Sequence, residues 1–294
     1  MITARAPATT ANLGSGYDTF GAALQRPADE VTVRRAEETT ISVSGVGSAG
    51  IPTAPTENTA GVVAATLDAP ARIEIQKGVR PASGMGSSAA SAAAAAVALN
   101  ELYDRGLSRR ELVGVAAAGE VVASGEVHAD NVAPALLGGF TITRPDGTTV
   151  VEPELSLVVC LPGEAVPTRA AREAVPESLS VSDHVETVRN AATLTVGMCR
   201  CDPALVGRGM DDPVVTPARA ALVTGYETVR ERALAAGATG VTVSGSGPGV
   251  LAVARPGTQA AVAQAMVDGF GSSGVDAEAI QTSVGSGATL LDDA

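Results

Sequence analysis

The sequence predicts an α+β protein of two domains, and three observations carry that prediction. An alternating segment, Ala71 to Val79 (ARIEIQKGV), runs through a glycine bend into an alanine-rich helix, making a strand–loop–helix unit. The composition resets near Leu155, where a strongly apolar strand, LSLVVCLP, begins. The 294 residues are 45% hydrophobic, enough to fill two ordinary cores. The boundary is expected between Glu152 and Glu154, giving domains 1–153 and 154–294.

Taken in order, Ile2 to Pro7 reads as a first strand, followed by a polar loop, ATTANLGSGYDTFGAAL. Asn12 and Asp18 are its chemically useful groups, or else simply the makings of an Asn/Asp turn. Glu30 to Arg35 and Thr40 to Val46 alternate like two half-buried strands. A Gly/Pro loop then leads into a short helix in ENTAGVVAATL, which Asn58 is placed to cap. Lys77, the sole lysine, reads on its own as an exposed side chain.

The stretch Pro81 to Ser91 (PASGMGSSAAS) is the most informative. Gly84 and Gly86 permit positive φ and close approach of a ligand to the backbone. Ser87 and Ser88 stand where a helix starts, so their hydroxyls can accept its orphan N–H groups. Free amides and the positive end of the helix dipole suit an anion, phosphate above all. A plain capped turn is the other reading, but Met85 is the only bulky residue from Pro81 to Ala96. No Gly-Lys-Ser/Thr follows the glycines, so this is not a Walker A loop.

The helix is expected to run to about Arg105 and stop at Gly106. A second helical region, SRRELVGVAAAGEVVASG, is expected to be interrupted near Gly119. Glu120 lies there among small residues; it either faces water or, if buried, needs a cation or a donor. HADNVAPALLGGF (from His128) reads by itself as an Asx turn entering a strand.

Beyond Leu155, Thr168 and Arg172 stand one helical turn apart in PTRAAREAVP. TPARAALVTGYETVRERALAAGA is expected to form one long amphipathic helix behind Pro217, with Arg219 near its start. A cation there opposes the dipole, which suggests a ligand as its reason. GVTVSGSGPGVLAV reads as strand, glycine turn and strand; a helix near Thr258 to Phe270 and a strand near Ala277 to Val284 follow.

The net charge of −12 argues against a nucleic-acid partner. Thirty-two acidic residues suggest adaptation to high salt, where a hydrated carboxylate surface is screened. Cys160, Cys199 and Cys201 form no C-x-x-C, and His128 and His184 are the only histidines, so no multi-histidine metal site is indicated. The N-terminus lacks the apolar stretch of a signal peptide, and no apolar run reaches the ~18 residues of a bilayer span. A soluble, cytoplasmic protein is expected.

The loop resembles the G-x-G-S-S-A-A core of the GHMP kinase signature, a superfamily that phosphorylates small molecules with ATP and magnesium. Over nearly its whole length the chain is similar to the homoserine kinase family within it. ANLGSGYD resembles that family's A-N-L-G-x-G-[FY]-D, and HADNVAPALLGG its H-A-D-N-V-A-P-A-x-x-G-G. The resemblance implies a GHMP kinase fold: an N-terminal ribosomal-S5-domain-2-like domain and a C-terminal ferredoxin-like domain. It implies ATP-dependent phosphorylation of L-homoserine to O-phospho-L-homoserine, the step before threonine formation.

The likeness also implies roles. Pro81, Ala82, Ser83, Gly84, Met85, Gly86, Ser87, Ser88, Ala89, Ala90 and Ser91 would cradle the phosphates. Asn58 and Lys77 would help form the adenine pocket, and Ser88 and Glu120 would hold magnesium. Asn12, Asp18 and Asp130 would line the amino-acid pocket, Asp130 on the ammonium. Arg172 and Arg219, in T-x-x-x-R and P-x-R, would take the carboxylate, with Thr168 beside them. Asn131 would sit by the reacting hydroxyl, although an amide cannot accept its proton. The glycine turn of GVTVSGSGPG would close over the site, and a homodimer would be usual. Another GHMP kinase, for mevalonate or shikimate, and a non-catalytic binder on the same fold remain as alternatives.

Overall fold

The computed structural model describes residues 1–124 and 129–291. In chain order its first half comprises β1 (Ile2–Ala11), β2 (Phe20–Arg35), β3 (Thr40–Gly45), α1 (Thr59–Thr66), β4 (Ala71–Lys77), α2 (Ser87–Leu102), α3 (Arg109–Ser124), α4 (Ala129–Leu137), β5 (Phe140–Arg144) and β6 (Gly147–Val151). The second half comprises β7 (Ser156–Pro162), α5 (Thr168–Glu173), α6 (Val181–Arg200), α7 (Pro203–Gly209), α8 (Val215–Ala220), α9 (Tyr226–Ala235), β8 (Ala238–Val243), β9 (Val250–Ala254), α10 (Gln259–Ser272), β10 (Ala277–Ser283) and β11 (Thr289–Leu291).

The first sheet has the order β11-β1-β2-β4-β3, with β5 and β6 extending from β2. The second has the order β10-β7-β9-β8 with antiparallel neighbours throughout, as a ferredoxin-like domain requires. The chain passes from one sheet to the other between β6 and β7. Residues 289–291 then return, β11 pairing antiparallel with β1 through Thr3↔Leu291.

Why these residues make these elements is plain in β4. Its buried positions are Ala71, Ile73, Ile75 and Lys77, a period of two that turns every second side chain to the core. In α2, Ala89 to Leu99 are all buried, and the small side chains let the helix lie close against β1 and β2. Residues of both sheets, among them Ala8, Leu24, Leu157 and Leu251, share one apolar cluster that locks the two halves together.

Several expectations need correction. β1 runs on to Ala11 and β2 begins at Phe20, because Gly21, Ala22 and Ala23 are buried strand residues with no polar alternation to reveal them. α2 ends at Leu102, short of Arg105. α3 passes through Gly119 unbroken; a Cβ there would lie 2.8 Å from the Thr59 carbonyl oxygen, so the glycine admits α1. Ala129, Asp130 and Asn131 open helix α4, whereas a strand was expected directly after the HADN segment. The single long helix behind Pro217 is two, α8 and α9, divided by a turn that ends at Gly225 with φ 82°. Sequence reading missed α6, a 20-residue helix opened by a Ser180–Asp183 capping box, and α7 after it.

Candidate active site

A cleft of about 450 Å³ opens where the loop after β4, the starts of α2 and α4, and the β8–β9 turn converge. The loop is bent by positive φ at Ala82 (52°), Gly84 (77°) and Gly86 (59°). A Cβ on Gly84 would stand 2.2 Å from the Ser244 carbonyl oxygen, and one on Gly86 would stand 2.0 Å from Thr9 Oγ1. These glycines therefore admit neighbouring protein, whereas the sequence reading assigned their space to a ligand.

The serines correct a second expectation. Gly86 is the N-cap of α2 and no side chain caps the helix. Ser87 Oγ donates to the Val79 carbonyl (2.8 Å), and Ser88 Oγ donates to Glu120 Oε2 (2.8 Å). With both hydroxyls engaged elsewhere, the first-turn amides keep their capacity for an anion.

The loop is held from two sides. From the second sheet, Ser244 Oγ donates to the Gly84 carbonyl (2.7 Å), and the Gly249 amide donates to Ser83 O (3.2 Å). From below, Lys77 Nζ donates to Asp29 Oδ2, to the Ser87 carbonyl (2.8 Å) and to Ser91 Oγ (2.9 Å). Asp29 also accepts from the amides of Gly78 (3.0 Å) and Val79 (2.9 Å) and from Ser91 Oγ (2.7 Å). Lys77 is 3% exposed and Asp29 fully buried, so the lysine is not the surface residue that sequence alone suggests. Burial lowers its pKa, and Asp29 opposes that shift.

Glu120 is buried as well, and desolvation raises its pKa to about 7. Ser88 pulls the other way, Asp130 adds to the rise, and Lys77 opposes it. A carboxyl so placed favours a nearby cation.

Charges of both signs meet at the opposite end. Asn12, with φ 70°, accepts the Asp18 amide on Oδ1 (3.0 Å) and donates through Nδ2 to Gly245 O (3.1 Å). Arg172 Nη2 is 3.0 Å from Asp18 Oδ2, each side chain about one-third exposed. Arg219 is buried; Nη1 donates to Gly245 O (2.9 Å), Nε to Ala171 O (3.2 Å), and its guanidinium lies 5.0 Å from the centre of the Tyr17 ring. It occupies the last turn of α8, so the argument from an N-terminal arginine falls away. Asp130 and Asn131 begin α4, where Asn131 Oδ1 accepts from Thr9 Oγ1 (2.8 Å).

The cleft brings together Asn12, Asp18, Asn58, Lys77, Glu120, Asp130, Asn131, Arg172, Arg219 and most of the Pro81–Ser91 loop. Met85, Ala89 and Ala90 of the loop turn instead into the apolar cores. Asn58 caps α1 by accepting from Ala60 N (3.0 Å), and it donates to Pro52 O (2.7 Å). The Thr168 side chain and His128 lie outside the described residues. Sequence reading missed Ile51, Pro52 and Ile75, which line the cleft with Asn58, and it missed Asp29 and Tyr17.

Residues 56–139 match the family model of the GHMP kinases N terminal domain, and residues 194–272 match that of the GHMP kinases C terminal. A homoserine kinase of Halorubrum lacusprofundi is 64% identical over 293 residues, covering all of both chains. The chain belongs to the homoserine kinase family of the GHMP kinases. The homoserine kinase of Methanocella arvoryzae is 45% identical, with 99% of this chain and 97% of that one covered. The crystal structure of homoserine kinase from Cytophaga hutchinsonii superposes with a TM-score of 0.90 at 33% identity, covering 99% and 97%. A mevalonate kinase of L. major, at 16% identity and TM-score 0.74, shares the fold. As a member of this family the protein is an ATP-using small-molecule kinase. Its acidic composition matches that of an enzyme whose relatives, such as the Halorubrum and Haloquadratum proteins, come from halophilic archaea.

Proposed function

We propose that the protein transfers the γ-phosphoryl group of ATP to the side-chain hydroxyl of L-homoserine, giving O-phospho-L-homoserine and ADP. The observation that carries the choice of acceptor is the pairing of carboxylates with guanidiniums at one end of the cleft. Asp18 and Asp130 beside Arg172 and Arg219 suit a zwitterion, whereas mevalonate and shikimate bring a carboxylate and no ammonium. The bent loop and the first turn of α2 would take the triphosphate, with Ile51, Pro52, Ile75 and Asn58 near the base.

The donor set at Ser88 and Glu120 fits magnesium, which needs few protein oxygens when phosphates and water complete its shell. Those two residues would hold it, and when bound it supplies charge neutralisation to the phosphates. Asn131 spends Oδ1 on Thr9 and one amide N–H on Asp130 Oδ1 (3.5 Å), which leaves its other N–H to donate toward the reacting oxygens. An amide takes no proton, so the hydroxyl proton passes to a phosphate oxygen or to solvent, and the site works by alignment and charge.

A coupled ADP-release assay across homoserine, mevalonate, shikimate and simple alcohols tests the reading, with turnover expected on homoserine alone. Preference for another alcohol would overturn it. Asn131→Ala should cut kcat about 100-fold with little change in either KM; near-normal kcat would remove Asn131 from the reacting centre. Glu120→Gln should raise the magnesium needed for half-maximal rate by about tenfold or more. An unchanged magnesium titration would take Glu120 out of the metal site.

Three further expectations belong to this proposal. Among the described residues no helix is long and apolar enough to cross a membrane, and we place the enzyme in the cytoplasm. We assign residues 1–153 and 154–294 to its two domains, with β11 reaching back. We also take it to work as a homodimer.

A further inference from the structure

The turn between β8 and β9, residues 244–249 (SGSGPG), carries two polar side chains, Ser244 and Ser246. Ser244 is engaged inside the protein. It is fully buried and its Oγ donates to the Gly84 carbonyl (2.7 Å), so in its 2.9 Å bond to Thr10 Oγ1 the threonine is the donor. Elsewhere the turn lies so close to the phosphate loop that side chains have no room. A Cβ on Gly249 would stand 2.5 Å from the Ser83 carbonyl oxygen, and one on Gly245 would stand 3.1 Å from that of Gly84. Ser246 is the exception. It lines the cleft, and among the described residues neither its hydroxyl nor its amide has a hydrogen-bond partner. Two open donors on one cleft residue suit an acceptor that a ligand brings.

The peptide joining Gly245 to Ser246 tells which acceptor. Its carbonyl accepts from Asn12 Nδ2 (3.1 Å) and from Arg219 Nη1 (2.9 Å), two side chains of the amino-acid end. The peptide is trans, so its N–H points the opposite way from its C=O. The Ser246 amide is thus aimed away from the amino-acid end. One residue back, Ser244 holds Gly84 of the phosphate loop. The peptide therefore stands between the bed of the triphosphate and the bed of the acceptor. The group that crosses from one to the other is the γ-phosphoryl. Two donors on the Gly245 carbonyl also polarise this peptide, which strengthens its N–H as a donor.

We propose that Ser246 is a catalytic residue whose amide and hydroxyl donate to the γ-phosphoryl oxygens during transfer, an inference that rests on the kinase reading above. The bond from the homoserine oxygen to phosphorus forms as the bond from phosphorus to the ADP oxygen breaks, and charge spreads over the three equatorial oxygens. Fixed donors aimed at those oxygens stabilise the charge without reorganising. Ser246 keeps its own protons; the homoserine proton goes to a phosphate oxygen or to solvent. Ser88, Glu120 and Asn131 serve the same group from the helices of the first domain, and Ser246 adds a contact from the second sheet.

Ser246→Ala, assayed on homoserine beside the wild type, tests the hydroxyl. Its kcat should fall about 100-fold, with the KM values for homoserine and ATP each moving less than about threefold. Ser246→Thr keeps the hydroxyl and should retain most of the wild-type kcat. Folding should be untouched, since the Ser246 hydroxyl bonds nothing in the described chain. A second arm needs no turnover. ADP with aluminium fluoride and homoserine mimics the transferring group; Ser246→Ala should bind that set more weakly by about the factor lost in kcat, and ADP alone as before. A raised homoserine KM with normal kcat would move Ser246 to the substrate carboxylate and overturn the proposal. Identical kinetics in variant and wild type would overturn it too. A wild type that turns over another alcohol instead overturns the choice of acceptor alone, and the same comparison run on that alcohol still decides the role of Ser246.

Discussion

Arg219→Ala should raise the KM for homoserine at least about 100-fold while moving the KM for ATP by less than about threefold. Each charge-assisted bond to a carboxylate contributes roughly 1.5–3 kcal/mol, so losing a two-pronged contact reaches that range. The side chain is prepared for the task. Its bonds to Gly245 O and Ala171 O, with the Tyr17 ring beside it, fix the guanidinium before any substrate arrives. Burial disfavours its charge, with Tyr17, Asp18 and Asp130 opposing that effect and Arg172 adding to it. An incoming carboxylate compensates the same group further. Arg219→Lys, which keeps the charge and loses the fork, should recover only part of the affinity. Equal increases in both KM values would mean that the arginine merely supports the Gly245 turn, and the clamp assignment would be wrong.

Asp29→Asn should lower stability by about 3–5 kcal/mol and the melting temperature by about 10 °C, because it strands a buried ammonium. The loss should show in catalysis on the nucleotide side. Asp29 and Lys77 together fix the amides of Gly78 and Val79 and the carbonyl of Ser87, which bracket the phosphate loop. The KM for ATP should therefore rise several-fold more than that for homoserine. The double variant Asp29→Asn/Lys77→Met removes both charges and should be more stable than Asp29→Asn alone. The pH dependence has a fixed sign. With its pKa lowered by burial, native Lys77 sheds its proton before the unfolded chain does, so stability rises with pH through that window. The deficit of Asp29→Asn should accordingly shrink toward alkaline pH. A wild-type melting temperature in Asp29→Asn would show that the pair contributes nothing.

How much of this was legible in the sequence depended on the kind of signal. The phosphate loop was readable because small residues and paired glycines are local, and the two kinase motifs were contiguous. Lys77 could have been placed correctly: Ala71, Ile73 and Ile75 set the buried phase of β4, and Lys77 is next in that phase. Asp29 could not, since it meets Lys77 across 48 positions of sequence and nothing near it distinguishes it from an ordinary surface aspartate. The serine hydroxyls were misassigned because a helix start offers a generic acceptor role, whereas Val79 O and Glu120 are neighbours only in space. The α8–α9 break was hidden because Ala218 to Leu222 all favour helix, and the weaker Val223, Thr224 and Gly225 that follow read as tolerated interruptions.

The pairing of β11 with β1 bears on how the chain reaches its form in the cell. β1 has no neighbour on one flank until residues 289–291 have been made. Until then β1 displays a row of unsatisfied peptide groups, the kind of margin that invites intermolecular strand addition. A fragment ending near residue 153 would keep that margin bare permanently and should precipitate. Pairing with residues 289–291 seals it.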